Sequence, residues 1–363
     1  MRGLRVFLTL LGCVAIVTAA RADDEKREPY FYKGLNYGSE ALYGPIWVVL
    51  NRGFDVLQDR TGSRNIVDQE YRHNGANVAR NLSNPFPGLK ARGYWTFTKE
   101  EVLPLSWSDS TARWVPNYSL HLLGGGMTYT MLAEWYDANG FPAPHFFSAG
   151  TLLATAFLNE TLENKGVVGS NTDAIADFYF FDIGGIILFS FDWPNWLMSH
   201  EFLMSDWGMQ ASITYPTFEL HNEGNYYAIK WPLPFYRDLR LFMYMGLGTL
   251  FGLSYKFDDQ HSISVSGSTM ASRLVASSRT NADNTVQFAS MGGIFLDRNG
   301  SLLASLKLTN VQDYFVNFNL YPNAFSTPQL GMWSVVDRGG HFITGLVWTQ
   351  PFGVGFGFGD LPE

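Results

Sequence analysis

Cysteine occurs once in the 363 residues, at Cys13 inside an apolar stretch near the N-terminus. The remainder of the chain therefore offers neither disulfides nor thiolate metal sites, and its stability has to come from packing and hydrogen bonding. Charge is also scarce: 16% of residues are charged, against about 25% in an ordinary soluble domain. What charge there is leans acidic, with 25 basic against 33 acidic side chains and a formal balance of -8. Nucleic acid is excluded as a partner on this ground, because phosphate binding needs a basic surface. Long apolar runs are missing beyond the first 22 residues. No later segment supplies the roughly 20 uninterrupted apolar residues of a spanning helix, which excludes a conventional bundle of membrane helices. Rossmann, P-loop and G-x-S-x-G patterns are absent, so no nucleotide site and no cofactor are expected.

The N-terminus reads as an export signal. Arg2 and Arg5 form a positive start, Val6 to Ala19 an apolar core, and Ala20-Arg21-Ala22 a small-x-small cleavage pattern. A mature chain is expected from about Asp23. Cleavage takes Arg2, Arg5 and Arg21 out of the 25 basic residues, leaving 22 against 33 acidic, a balance of -11. Leu10-Leu11-Gly12-Cys13 also matches a lipoprotein box with Cys13 as the lipidated residue, and a retained signal anchor is the third option.

The sequence is rich in aromatics (16%) and in glycine (36 residues). Residues 23–116 read as an N-terminal region, irregular with possible strands, in which Asn84-Pro85-Phe86-Pro87-Gly88 marks a firm turn. Residues 117–193 form a helical segment of about three helices, Tyr118 to Ala138, His145 to Lys165 and Thr172 to Phe191, separated by Asn139-Gly140, Pro142, Pro144 and Gly166. Residues 194–363 change to a period of two. Ser262 to Ser268, Leu302 to Leu308 and Tyr314 to Leu320 alternate apolar and polar residues, and Asp297-Arg298-Asn299-Gly300 and Asp337-Arg338-Gly339-Gly340 are hairpin turns. Roughly eight strands fit between Gly208 and Phe358. The expected fold is mainly β with a helical segment: an antiparallel membrane β-barrel of roughly 8–12 strands plus about three helices.

At the end of the chain, Gly353-Val354-Gly355-Phe356-Gly357-Phe358 places Phe352, Val354, Phe356 and Phe358 on one strand face. The pattern resembles the terminal assembly signal of bacterial outer-membrane barrels. It departs from that signal in having Phe352 at a usually polar place and in continuing through Gly359 to Glu363. Trp193, Trp196, Trp207, Trp231, Trp333 and Trp348 read as interfacial girdle residues if a bilayer surrounds the sheet, and as ordinary core aromatics if not.

Within the helical segment, His121, Gly124-Gly125-Gly126, Tyr129, Ser148, Asn159-Glu160, Asn164, Asp173 and Asp177 loosely resemble uncharacterised bacterial envelope families that carry a His/Glu/Asp-bearing helical segment beside outer-membrane strands. The resemblance spans about Asn117 to Gly185 and implies no activity. Ionisable groups in so apolar a setting must reach water or meet one another. Asp173 and Asp177, four apart, share a helix face. His121, Glu160 and Asp177 are the candidate catalytic residues of a His/carboxylate acid-base site, and His121, Glu160, Asp173 and Asp177 the candidate metal ligands. The competing account is a polar network holding helices in register. His145 and Ser148 form a weaker candidate for a base and hydroxyl. Gly124-Gly125-Gly126 and Gly184-Gly185 would permit close helix approach.

Three functions follow as expectations. The first is an exported outer-membrane barrel, structural or a small-solute or lipid pore or carrier, with the helical segment bracing or plugging its lumen. The others are an envelope lipid- or glycolipid-modifying hydrolase using the His121 group, and a soluble periplasmic β-rich binding protein. Expected partners are membrane lipids and the outer-membrane assembly machinery.

Overall fold

The computed structural model describes residues 28–58, 63–103, 115–164, 166, 168–273, 286–309, 314–324, 329–349 and 355–359. The expected leader, Cys13, and part of the terminal pattern lie outside these. Thirteen strands form one mixed sheet: β1 Ser205–Asp206, β2 Ser212–Thr214, β3 Leu220–His221, β4 Tyr227–Leu233, β5 Tyr236–Met245, β6 Leu250–Lys256, β7 His261–Arg273, β8 Val286–Arg298, β9 Ser301–Thr309, β10 Tyr314–Leu320, β11 Leu330–Asp337, β12 Phe342–Trp348 and β13 Gly355–Gly359. From β4 to β13 each strand pairs antiparallel with the next. β1 flanks β4, while β2 and then β3 continue the sheet beyond β13. The β13·β2 pair is parallel, with Gly355 opposite Ser212. As paired strands the sheet is open, ending on β1 and β3. The expected mainly β fold with helices is present, but its thirteen paired segments include one parallel pair and do not close into the expected antiparallel barrel of roughly 8–12 strands.

The two ends of the sheet belong to one hairpin. Ser205 lies opposite Ala228 and Asp206 opposite Tyr227; the Trp207 and Met209 N–H groups then donate to the Tyr226 and Gly224 carbonyls at 2.8 and 3.0 Å. Ser212 opposite His221 and Ile213 opposite Leu220 complete the series. Every step keeps the same register, because any slip by one residue would swap the two faces. The hairpin turn expected at Asn299-Gly300 is present between β8 and β9, both residues with positive φ (52° and 88°), the backbone such a two-residue turn requires.

The alternation has an inverted sense for a water-soluble sheet. On β6 buried Ser254 sits between exposed Leu253 and Tyr255; on β7 buried Ser262, Ser264 and Ser266 alternate with exposed Ile263 and Val265. Buried Ser305 and Lys307 alternate with exposed Leu306 and Leu308 on β9, and buried Asn317 and Asn319 flank exposed Phe318 on β10. The enclosed face is filled in part by aromatics: Trp207 lies 5.7 Å from Phe242 and 5.6 Å from Phe295, ring centre to ring centre. Trp207 and Trp333 are fully buried on this side, which corrects their assignment as girdle residues. Trp193, Trp196, Trp231 and Trp348 are exposed.

The three helices of the middle segment are present. Val115–Gly124 runs with wide, π-type turns into α2 Gly125–Ala138; α3 is Pro144–Glu163; and α4 Thr172–Ala176, the π-type Asp177–Asp182 and α5 Ile183–Phe189 follow one another. Residues expected to be irregular with possible strands are helical instead, including the π-type Val49–Gly53 and α1 Tyr71–Ser83. Among the described residues of 23–116 only Asn65 makes a β-bridge, to Glu219. α1 escapes a hydrophobic-period reading because three of its five buried residues are asparagine, beside Val78 and Leu82. Asn77 Nδ2 donates to Asn164 Oδ1 at 3.0 Å, and Asn74, Asn77 and Asn81 accept from the Gly166, Gly169 and Asn171 N–H groups at 3.0, 3.1 and 3.0 Å.

Ala228 opposes inward-facing Tyr244, so its neighbour Tyr227 points outward, and α2 meets it there. The Tyr227 hydroxyl and Thr128 Oγ1 are 2.7 Å apart, and a Cβ on Gly124 would collide with the Tyr227 ring. α2 thus braces the sheet from outside rather than filling it.

Candidate functional site

Three π-type segments bring their charged residues to one place. Winding with i→i+5 bonds turns residues five apart onto one side of a helix, and such turns recur at functional sites. Val49–Gly53 contributes Arg52, Val115–Gly124 contributes His121, and Asp177–Asp182 contributes both of its terminal acids. The backbones approach closely because glycine lines the crossing: a Cβ on Gly185 would stand 2.7 Å from the Leu122 carbonyl and 3.1 Å from the Gly126 nitrogen.

Arg52 Nη2 donates to Asp182 Oδ1 at 2.6 Å, and Nη1 to the Leu120 carbonyl at 3.0 Å. His121 Nδ1 reaches the same Asp182 oxygen at 3.3 Å. Asp182 is fully buried, Arg52 5% exposed and His121 15% exposed. Burial alone would lower the His121 pKa, but the charges of Asp182 and then Asp177 overcome it and raise it to about 9, so this imidazole is a cation at neutral pH. Glu160 lies deeper, 1% exposed, and its pKa is pushed well up by burial and by the Asp177 charge. Asp177 is likewise raised by burial, with His121 acting against it. Glu160 Oε1, Asp177 Oδ1 and Asp182 Oδ2 are buried without a hydrogen-bond partner. Burial and the mutual repulsion of Glu160 and Asp177 both oppose ionisation of this pair.

Of the expected site residues, His121, Glu160 and Asp177 therefore converge electrostatically. Asp173 is half-buried in the first turn of α4, where the helix dipole favours an acid; its charge is felt by Glu160 and Asp177. Among the described residues no three His, Cys, Asp or Glu side chains are placed to share a metal ion, so the four expected ligands do not form a metal set. Ser148 Oγ donates to the Tyr129 carbonyl at 2.5 Å and is fully buried, which removes it as a nucleophile for His145. Arg52 and Asp182 were not foreseen. Arg52 had a signal, being the single charged residue between Glu40 and Asp55, whereas Asp182 joins Asp177 only through the π winding.

The chemistry available is a buried salt-bridge cluster beside two carboxyls whose ionisation burial opposes. Cavities of about 530, 490 and 370 Å³ are lined by other residues and by none of Arg52, His121, Glu160, Asp177 or Asp182. Comparison with protein families, with characterised proteins and with solved structures finds no match for this chain.

Proposed function

We propose that this chain is a non-enzymatic, lipid-embedded β-barrel of the outer membrane, in which the 205–233 hairpin completes the ring and the helical domain braces it at β4. The observation that carries the reading is the inverted polarity of the strands: serine, asparagine and lysine on the enclosed face, Phe251, Leu253, Val265, Ile294, Leu306, Phe318, Met332, Leu346 and Phe358 exposed outside. In water such a surface is an aggregation hazard, whereas in a bilayer it is the required one. Exposed Trp231, Tyr255 and Trp348 all stand near the C-terminal ends of strands running the same way, β4, β6 and β12, as one interfacial girdle would. A soluble periplasmic binding protein has no use for this outer face. The aromatic filling around Trp207 supports a structural role over an open pore. The Arg52–His121–Asp182 cluster serves as a latch between helices, since a hydrolase would need a substrate route to it.

The test is fractionation of the tagged protein together with migration before and after boiling. Outer-membrane recovery with a heat-dependent shift, and no conductance in planar bilayers, is the expected result. Recovery in the soluble periplasmic fraction overturns the reading.

A further inference from the structure

The helical domain carries an apolar surface that its own fold leaves uncovered. Phe180, Ile187 and Phe191 follow one another at near-helical spacing, and Trp193 and Trp196 come just after a bend; all five are 38 to 61% exposed. The two arms on either side of that bend, Thr172–Phe189 and Asp192–Glu201, meet at 88°, so one can point into a bilayer while the other lies along its surface. The patch runs on into the sheet: just after the second arm, the Phe202 N–H bonds the Leu197 carbonyl at 3.1 Å, and the Phe202 ring packs 5.7 Å from that of exposed Trp231 on the outer face of β4.

Charge is distributed to match. Between Arg113 and Lys230 the sequence holds a single Lys or Arg, Lys165. Of the acids of the first arm, Asp177 and Asp182 are buried within the domain and Asp173 is half-buried at its start, and exposed Asp192 and Glu201 stand at the ends of the second arm. The two arms themselves contribute no Lys or Arg to this face. Exposed apolar aromatics with tryptophan at the bend suit shallow burial among acyl chains.

We propose that the Phe180–Trp196 face dips into one leaflet of the membrane, the leaflet at the Trp231 end of the strands, without crossing it. The helical domain then shares the bilayer with the sheet it braces, and α2 lies between the strand wall and the lipid-facing arm. This inference rests on reading the outer face of the sheet as lipid-facing.

Nitroxide labels report both points separately. Single-cysteine variants Phe180→Cys, Ile187→Cys and Trp193→Cys are made in a Cys13→Ser background, with Val265→Cys on β7 as the sheet reporter and Ala76→Cys on α1 as the aqueous reporter. The full chain is reconstituted in phosphatidylethanolamine/phosphatidylglycerol vesicles, and accessibility to oxygen and to a nickel chelate is measured. Oxygen-accessible, nickel-shielded labels at 180, 187 and 193, like that at 265, are expected. Labels at those three sites that are open to nickel while 265 is shielded overturn the inference and leave the barrel standing. Shielding from both reagents at the three sites means a protein covers the face, a second copy or another chain, and also overturns it. A nickel-open label at 265 removes the barrel reading and this one with it. As a check without labels, quenching of tryptophan emission by brominated lipid should fall in the Trp193→Phe/Trp196→Phe variant, and unchanged quenching counts against the inference.

Discussion

Asp182→Asn keeps the shape of the side chain and removes the charge that Arg52 meets at 2.6 Å and His121 at 3.3 Å. Both Arg52 and Asp182 are almost completely buried, so solvent screens the pair little. Deleting one member of a buried ion pair costs about 3–5 kcal/mol, most of it the penalty of the stranded partner. The substitution also acts through His121. Its pKa in the folded protein is about 9 against an ordinary 6.5, so the stabilisation is complete below about pH 6.5 and is lost as pH rises through 9. That gap is worth about 3 kcal/mol. Urea unfolding of the detergent-solubilised protein, followed by circular dichroism at pH 6 and pH 9.5, measures both effects. The wild type should weaken between these pH values, and the variant should be weaker at pH 6 and change less. The double variant Arg52→Met/Asp182→Leu should regain part of the loss, because the Arg52 guanidinium is no longer stranded while His121 still lacks its Asp182 partner. A loss under about 1 kcal/mol in Asp182→Asn, or an unchanged pH profile, refutes the latch.

Glu160→Gln puts a neutral isostere in place of a carboxyl whose ionisation burial and Asp177 oppose. It should cost under about 1 kcal/mol at pH 5 and raise relative stability at pH 8, because a carboxyl with a raised pKa weakens the fold as pH climbs above its unfolded value of 4.5. The same urea titration checks it. Gly185→Ala forces a methyl against the Leu122 carbonyl and should cost about 1–3 kcal/mol, whereas Gly184→Ala, which meets only the Leu122 side chain at 3.4 Å, should be nearly neutral in the same assay. Val265→Lys puts a cation on the proposed lipid face at a cost of about 2–4 kcal/mol near the midplane; loss of the heat-modifiable band on gels is expected, and an unaffected band argues against lipid there.

How much of this was legible varied with the kind of signal. The middle helices were readable from their length, composition and the breaks at Asn139-Gly140, Pro142, Pro144 and Gly166, and the strands β7 to β10 because apolar residues alternate and Asn299-Gly300 has the chemistry of one turn type. Alternation alone does not say which face is out, so the inward serines of β7 emerged only with the fold. β1, β2 and β3 have two or three paired residues each, fixed by hairpin register rather than by pattern. The site was half visible. His121, Glu160 and Asp177 stand out as ionisable groups in apolar surroundings, but Asp182 lies on a different face from Asp177 in any α-helical projection, and the π winding that unites them has no sequence signature. Helix α1 was hidden because its buried face mixes Val78 and Leu82 with Asn74, Asn77 and Asn81, which bond the 166–171 backbone.

The parallel β13·β2 pair follows from counting strands around the proposed ring. Taking the 205–233 hairpin as two strands and β5 to β13 as nine, the ring holds eleven. An odd number cannot alternate in direction all the way round, so one neighbouring pair has to be parallel. Among the described residues three pairs make that seam, Gly355 to Gly357 against Ser212 to Thr214, and something must hold it. Trp333 on β11 is placed to do so. Its indole lies over Gly345 of β12 and Gly357 of β13, where a Cβ would press on the ring, and its Nε1 donates to Ser212 Oγ on β2 at 2.7 Å. One side chain thus reaches across two strands to the seam. Ser212→Ala removes a hydrogen bond worth about 1 kcal/mol, while Trp333→Phe removes that bond and part of a fully buried ring, about 2–3 kcal/mol in all. The temperature at which the folded gel band disappears should therefore fall by a few degrees in Trp333→Phe and by less in Ser212→Ala. Equal temperatures in all three proteins would mean that the seam does not govern unfolding, and with it that the sheet does not behave as a ring.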